Sequence, residues 1–111
     1  MKFVTWNVNS VNARIDHLIN FIKKDQADIY LLQELKCINE KFPHDEIRSI
    51  GYHSSVNGQK AWNGVAFISK KPLIISHYKI PTFIDDENAR FIEAEIKIPF
   101  IKKKIKLINI Y

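Results

Sequence analysis

The stretch that decides the fold is Lys2-Phe3-Val4-Thr5-Trp6-Asn7-Val8-Asn9-Ser10, together with Asp28-Ile29-Tyr30-Leu31-Leu32-Gln33-Glu34. Lys2 to Val8 is rich in β-branched and aromatic side chains and reads as a strand, and Asp28 to Gln33 reads as a second, mostly apolar one. Between them Ser10 reads as the cap before Val11, Ile15, Leu18, Ile19 and Ile22, spaced for one face of a helix that ends in Lys23 and Lys24. A strand, helix, strand crossover makes the two strands parallel and brings their C-terminal ends to the same edge of a sheet.

Working outward, Pro43 and Gly51 bracket a short helix through Ile47 and Ile50. Tyr52–Val56, Gly64–Ser69, Leu73–Lys79, Phe91–Ile98 and Ile105–Tyr111 are β-type segments parted by turn residues such as Asn57-Gly58 and Lys71-Pro72, the pattern of an antiparallel meander. In the fourth of these, Ile92, Ala94, Ile96 and Ile98 share one face while Glu93, Glu95 and Lys97 share the other, so that strand is expected to be half solvated. The last has apolar groups on both faces and is expected to be covered on both. The class is α+β.

Composition limits the function classes. With 111 residues, 46% hydrophobic and 26% charged, the chain packs a core, which excludes disorder and fibrous repeats. One cysteine, Cys37, and four scattered histidines offer no zinc-ligand spacing and no disulfide. A reducing, cytoplasmic setting is expected, and no apolar run is long enough for a membrane span. The net charge of +5 permits a nucleic-acid partner. However, Lys102, Lys103, Lys104 and Lys106 supply most of the excess and read as a solvated hairpin turn.

Polar side chains concentrate where the first two strands end. Asn7 and Asn9 have the same parity and would project from one face, and Glu34 follows the neighbouring strand at the matching end. A carboxylate with amide carbonyls is a hard-oxygen set suited to Mg²⁺, and ligands of open α/β sheets sit at the carboxyl ends of strands. The plainer alternative makes the two asparagines Asx turns and leaves Glu34 facing water.

These residues fall into a familiar order. Thr5-Trp6-Asn7-Val8-Asn9-Ser10 with Ala13-Arg14, Leu32-Gln33-Glu34-Leu35-Lys36, Gly51-Tyr52, Gly58-Gln59-Lys60, Asn63-Gly64-Val65-Ala66, Arg90 with Glu93-Ala94-Glu95, and Ile108-Asn109-Ile110-Tyr111 together resemble the N-terminal part of exonuclease III and related abasic-site endonucleases, of the endonuclease/exonuclease/phosphatase superfamily. The resemblance implies one lobe of a four-layer α/β-sandwich, with a mixed, largely antiparallel sheet and helices on one face. It implies a Mg²⁺-dependent DNA-repair phosphodiesterase, with Mn²⁺ an alternative ion, acting on double-stranded DNA at abasic sites and damaged 3′ ends. By the same resemblance Glu34 holds the metal and Asn9 adds to that site. Asn7 orients the network and Tyr111 lies against the scissile phosphate. Lys36 contacts the metal-site carboxylate, and Arg14, Lys60, Trp62 and Asn63 face DNA. For Trp62 the plainer alternative is core packing.

The sequence departs from the family where Ser10-Val11-Asn12 replaces Gly-Leu-Arg, which removes one arginine expected near the DNA backbone. The family's later motifs, an Asp-x-Asn pair and a C-terminal Asp-His pair, are expected to lie beyond Tyr111. The expectation is therefore a single N-terminal lobe over residues 1–111, truncated, weak or inactive alone, and part of a monomeric enzyme when full length. Two other functions compete: a superfamily phosphatase or phospholipid phosphodiesterase, and a non-catalytic DNA-binding remnant.

Overall fold

A computed structural model describes residues 1–111. The opening unit forms as its pattern demands, with β1 (Phe3–Asn7), α1 (Ile15–Asp25) and β2 (Ile29–Gln33). β1 and β2 pair in parallel from Phe3 opposite Ile29 to Asn7 opposite Gln33. Four further residues delay the helix. Ser10 is not its N-cap, because the Ser10 and Val11 amides donate to the Glu34 and Leu35 carbonyls at 2.8 and 3.1 Å, extending the parallel ladder past both strand ends. Only after a turn, in which the Ala13 amide donates to Ser10 Oγ, is the backbone free to coil, and Arg14 takes the cap position without a side-chain bond.

After a 3₁₀ turn at Asn39–Lys41, the second helix, α2 (His44–Ser49), lies between Pro43 and Gly51 as expected. The later strands are β3 (His53–Asn57), β4 (Val65–Ser69), β5 (Ile74–His77), β6 (Phe91–Lys97) and β7 (Lys104–Ile110). They do not form one meander. β4 pairs antiparallel with both β2 and β3, giving a sheet ordered β1-β2-β4-β3, while β5-β6-β7 form a separate antiparallel sheet.

The alternation along the central strands explains the division. In β2, Tyr30 and Leu32 face α1 and α2, joining Leu18, Ile22 and Ile47 in one core. Ile29 and Leu31 face the opposite way and, with Val65 and Phe67 of β4, pack on Ile92, Ala94 and Ile96 of β6. β2 and β4 are apolar on both faces because each face has its own layer. Helices therefore cover one face of the first sheet and the second sheet covers the other.

Three expectations about the second sheet need correction. Glu93 is not solvated: it is 6% exposed, and it accepts hydrogen bonds from Ser76 Oγ at 2.7 Å and His77 Nδ1 at 3.0 Å. Those donors hold its carboxyl below the usual carboxylate range. The lysine run is only partly a turn, since Lys104 and Lys106 belong to β7, where Lys104 Nζ lies 3.6 Å from Glu95. Finally, β7 is covered on one face alone, with Ile105 and Leu107 packed inward and Ile108 and Ile110 exposed on the other.

One polar residue joins the layers. Asn109 of β7 is 1% exposed, and its Nδ2 donates to the carbonyls of Leu32 in β2 and Ala66 in β4, both at 2.9 Å. Its Oδ1 accepts from Gln33 Nε2 at 2.8 Å. Asn109→Leu removes three hydrogen bonds from the interface, those to the Leu32 and Ala66 carbonyls and the one from Gln33 Nε2, and each contributes about 0.5–1.5 kcal/mol. Urea denaturation of the variant is expected to show a loss of at least ~2 kcal/mol, and an unchanged midpoint would refute the role assigned to this amide.

Candidate active site

The cluster expected at the ends of β1 and β2 forms, and the end of β7 joins it. Glu34 follows β2 in a left-handed conformation (φ 57°), which turns its carboxylate toward the last residue of β1. Asn7 Nδ2 donates to Glu34 Oε1 at 3.1 Å, and the Tyr111 hydroxyl donates to the same oxygen. Two donors on one oxygen, with the Lys36 ammonium nearby, hold the Glu34 carboxyl below its ordinary value. The same contact with the carboxylate raises the Tyr111 phenol.

Asn7 makes the Asx turn considered for it and also meets Glu34. Asn7 Oδ1 accepts the Asn9 amide at 3.1 Å, an Asx turn that leaves Asn9 left-handed at φ 45°. This same turn fixes the Asn7 amide so that its nitrogen meets Glu34. Asn9 Oδ1 accepts from Lys36 Nζ at 2.7 Å, and that ammonium lies 3.6 Å from Glu34 Oε2. Asn7, Asn9, Glu34, Lys36 and Tyr111 thus form one connected group.

The loop between β3 and β4, at the same end of the sheet, is fastened beside it. The Leu35 and Lys36 amides donate to the Gly64 and Asn63 carbonyls at 3.1 and 3.0 Å. A side chain at position 64 would meet Leu35 Cβ at 2.8 Å with φ at +92°, so the close approach requires glycine. Asn63 Nδ2 donates to Gln59 Oε1, which also accepts the Ala89 amide at 2.9 Å. Lys60 and Trp62 stand on the same loop, and Trp62 is 71% exposed, which excludes core packing for its ring. Arg14, at the N-terminus of α1, is exposed and outside the hydrogen-bonded group.

Three contributors stand in the motif series without a role assigned from sequence. Asn109 and Gln33 fix β7 against β2, and Arg90 holds the Tyr111 ring, its guanidinium 5.5 Å from the ring centroid and its Nε donating to the Tyr111 carbonyl. The Tyr111 amide in turn donates to the Arg90 carbonyl at 2.9 Å. A signal for Asn109 existed: it shares the parity of Tyr111 and is the one polar residue of Leu107–Ile110.

For a cation, the local donor set is one carboxylate and two amides, with Glu34 Oε2 less engaged than Oε1. Such oxygens fit a hard ion that keeps most of its water, such as Mg²⁺. No three His, Cys, Asp or Glu side chains converge elsewhere in the chain.

Comparison with known proteins assigns the family and bears out the fold. The sequence profile of the endonuclease/exonuclease/phosphatase family matches residues 4–103. The chain belongs to that family. It is 36% identical over 100 residues to exodeoxyribonuclease III of Haemophilus influenzae, covering 90% of this chain and 38% of that protein. A Bacillus subtilis exodeoxyribonuclease is 30% identical over 105 residues, 91% of this chain and 40% of the relative. Among solved structures, a Neisseria 3′ phosphatase bound to a product DNA hairpin superposes on the whole chain with a TM-score of 0.90 and 37% identity, over 41% of its own length. An AP endonuclease from Archaeoglobus fulgidus gives 0.79 and 37%, covering 85% of this chain and 36% of its own. The chain therefore spans about two fifths of the length of these relatives.

Because the Tyr111 hydroxyl heads the causes that lower the Glu34 carboxyl, Tyr111→Phe is expected to raise its pKa and leave the Glu34 backbone in place. A ¹³C NMR titration of the Glu34 side chain reads this directly. A midpoint that stays put or falls would remove the Tyr111 contact from the site.

Proposed function

We propose that these residues form the cation-holding part of a DNA phosphodiesterase of exonuclease III type. It acts on double-stranded DNA at abasic sites and at blocked or damaged 3′ ends, with Mg²⁺ or Mn²⁺ held at Glu34. The observation that supports this reading most is the convergence of Asn7 and Tyr111 on a single oxygen of Glu34, with Oε2 and the Lys36 ammonium beside it. The names of the relatives, exonuclease, 3′ phosphatase and AP endonuclease, describe reactions at DNA phosphates and point the same way.

Each residue has a task that follows from its contacts. Glu34, held ionised, supplies the negative charge that a divalent cation needs, and Asn7 fixes its rotamer. Asn9 offers a carbonyl oxygen once Lys36 turns from it toward a phosphate. The Tyr111 hydroxyl, oriented by Arg90, sits where a bound phosphate would meet the carboxylate. Lys60 and Asn63 suit contacts to the DNA backbone, the exposed Trp62 ring suits stacking, and Arg14 adds positive charge at the same end. A bound cation supplies Lewis-acid stabilisation of charge developing on a phosphoryl oxygen.

Water activation is the task this cluster leaves open. A general base works best with a pKa near the working pH. Here Glu34 is pushed down and Tyr111 up, and no histidine joins them. We infer that residues 1–111 alone bind and orient a phosphodiester and turn it over feebly or not at all.

Titration with Mn²⁺, followed by its EPR signal, is expected to show one weak site whose affinity falls about tenfold or more in Glu34→Gln, since the cation loses its charged ligand. Incubation with a duplex carrying an abasic-site analogue and Mg²⁺ is expected to give Mg²⁺-enhanced binding with little cleavage. Undiminished Mn²⁺ binding in the variant would overturn the metal assignment. Rapid multiple turnover would overturn the missing base, and Mg²⁺-independent, purely salt-dependent binding would favour a non-catalytic DNA-binding role.

A further inference from the structure

At the other end of the sheets lies a cleft of about 520 Å³, within the range of ligand-binding clefts. It opens where β2 begins, at Asp28 and Ile29, whereas Glu34 follows the far end of that strand, so roughly 17 Å of β-strand separates the two. Its floor is aliphatic, formed by Ile29, Pro72, Leu73, Ile96 and Pro99.

Its rim is basic, with Lys70, Lys71, Lys97 and Lys104. Lys104 pairs with Glu95 at 3.6 Å, while Lys70, Lys71 and Lys97 have no carboxylate within ion-pair distance. The other acid of the rim, Asp28, is engaged by the Lys2 amide at 2.7 Å. Three lysines therefore face the cleft without an ion-pair partner, around a largely aliphatic floor.

β5 borders the cleft and is an edge strand. Its partner is β6 on one side only, and Ile74 is 70% exposed. Unpaired main-chain groups on such an edge can accept an extended segment as an added strand. Nucleic acid fits less well, since no aromatic ring lines the cleft for base stacking and two carboxylates stand among the lysines.

We propose that this cleft docks an extended acidic segment of a partner protein, with an aliphatic side chain seated on the floor between Leu73 and Ile96 and its carboxylates on Lys70, Lys71 and Lys97. This site is independent of the Glu34 cluster. A partner held there leaves the opposite end of the sheets open.

The test uses fluorescence anisotropy with a labelled peptide, Glu-Glu-Leu-Glu-Glu-Leu-Glu, and the 111-residue chain. Saturable binding is expected, weakened about tenfold by the double substitution Lys70→Glu and Lys71→Glu. A peptide of equal charge with both leucines replaced by serine is expected to bind several-fold more weakly, because the floor loses its contact. Amide shifts in ¹⁵N NMR should fall at Lys70–Ile74 and Glu95–Lys97 and spare Asn7, Glu34 and Tyr111. Far-UV circular dichroism verifies that the variant, altered only at exposed lysines, keeps its fold. Equal binding of the two peptides, no loss in the folded variant, absence of saturation, or tighter Lys70- and Lys71-dependent binding of a single-stranded oligonucleotide would each overturn the proposal.

Discussion

The arrangement turns on one buried amide. Asn109 lies between the sheets with all of its strong hydrogen bonds made to Leu32, Ala66 and Gln33. A polar group in that position is tolerable only at one register, because sliding β7 by a single residue would put an isoleucine against the two carbonyls and expose the amide. Apolar packing of Ile29, Leu31, Val65 and Phe67 on Ile92, Ala94 and Ile96 brings the sheets together without fixing how far one slides on the other. The amide supplies that missing constraint. Two residues further on, with the same parity, Tyr111 then arrives at Glu34.

The backbone around the cluster carries the local cost of that placement. Asn9, Ser10, Glu34, Lys36, Ala61 and Asn63 all adopt positive φ, and four of them, Ser10, Glu34, Lys36 and Ala61, are neither glycine nor asparagine. Left-handed conformations of such residues persist only where surrounding contacts determine them. Here the ladder of Ser10, Val11, Leu35 and Lys36 amides does so, binding the turns after β1 and β2 to each other and to the Asn63–Gly64 loop. The site is a set of turns braced by main-chain bonds more than a pocket walled by side chains.

Much of this could be read from the sequence because it rests on short-range patterns. The parallel pairing of the first two strands followed from the crossover, and the meeting of Asn7 with Glu34 followed from that pairing. The division of the later strands into two sheets did not, since short β segments separated by turns look alike whichever neighbour they find. The clue lay in β4, where Val65, Ala66, Phe67 and Ile68 leave no polar face. Glu93 misled by its charge: alternation placed it on the outer face correctly, yet Ser76 and His77 from β5 bury it there. The start of α1 at Ile15 in place of Val11 was hidden for the same reason, because main-chain bonds to a segment more than twenty residues away leave no mark in local composition.

Lys36 gives the site a property that goes beyond orientation. Its ammonium rests between Asn9 Oδ1 and Glu34 Oε2, so the carboxylate always has a positive neighbour of its own. Taking up a divalent ion at Glu34 is then an exchange of one cation for another rather than the neutralisation of a bare anion. The displaced ammonium remains tethered within a side chain's length, free to follow the next negative charge that approaches.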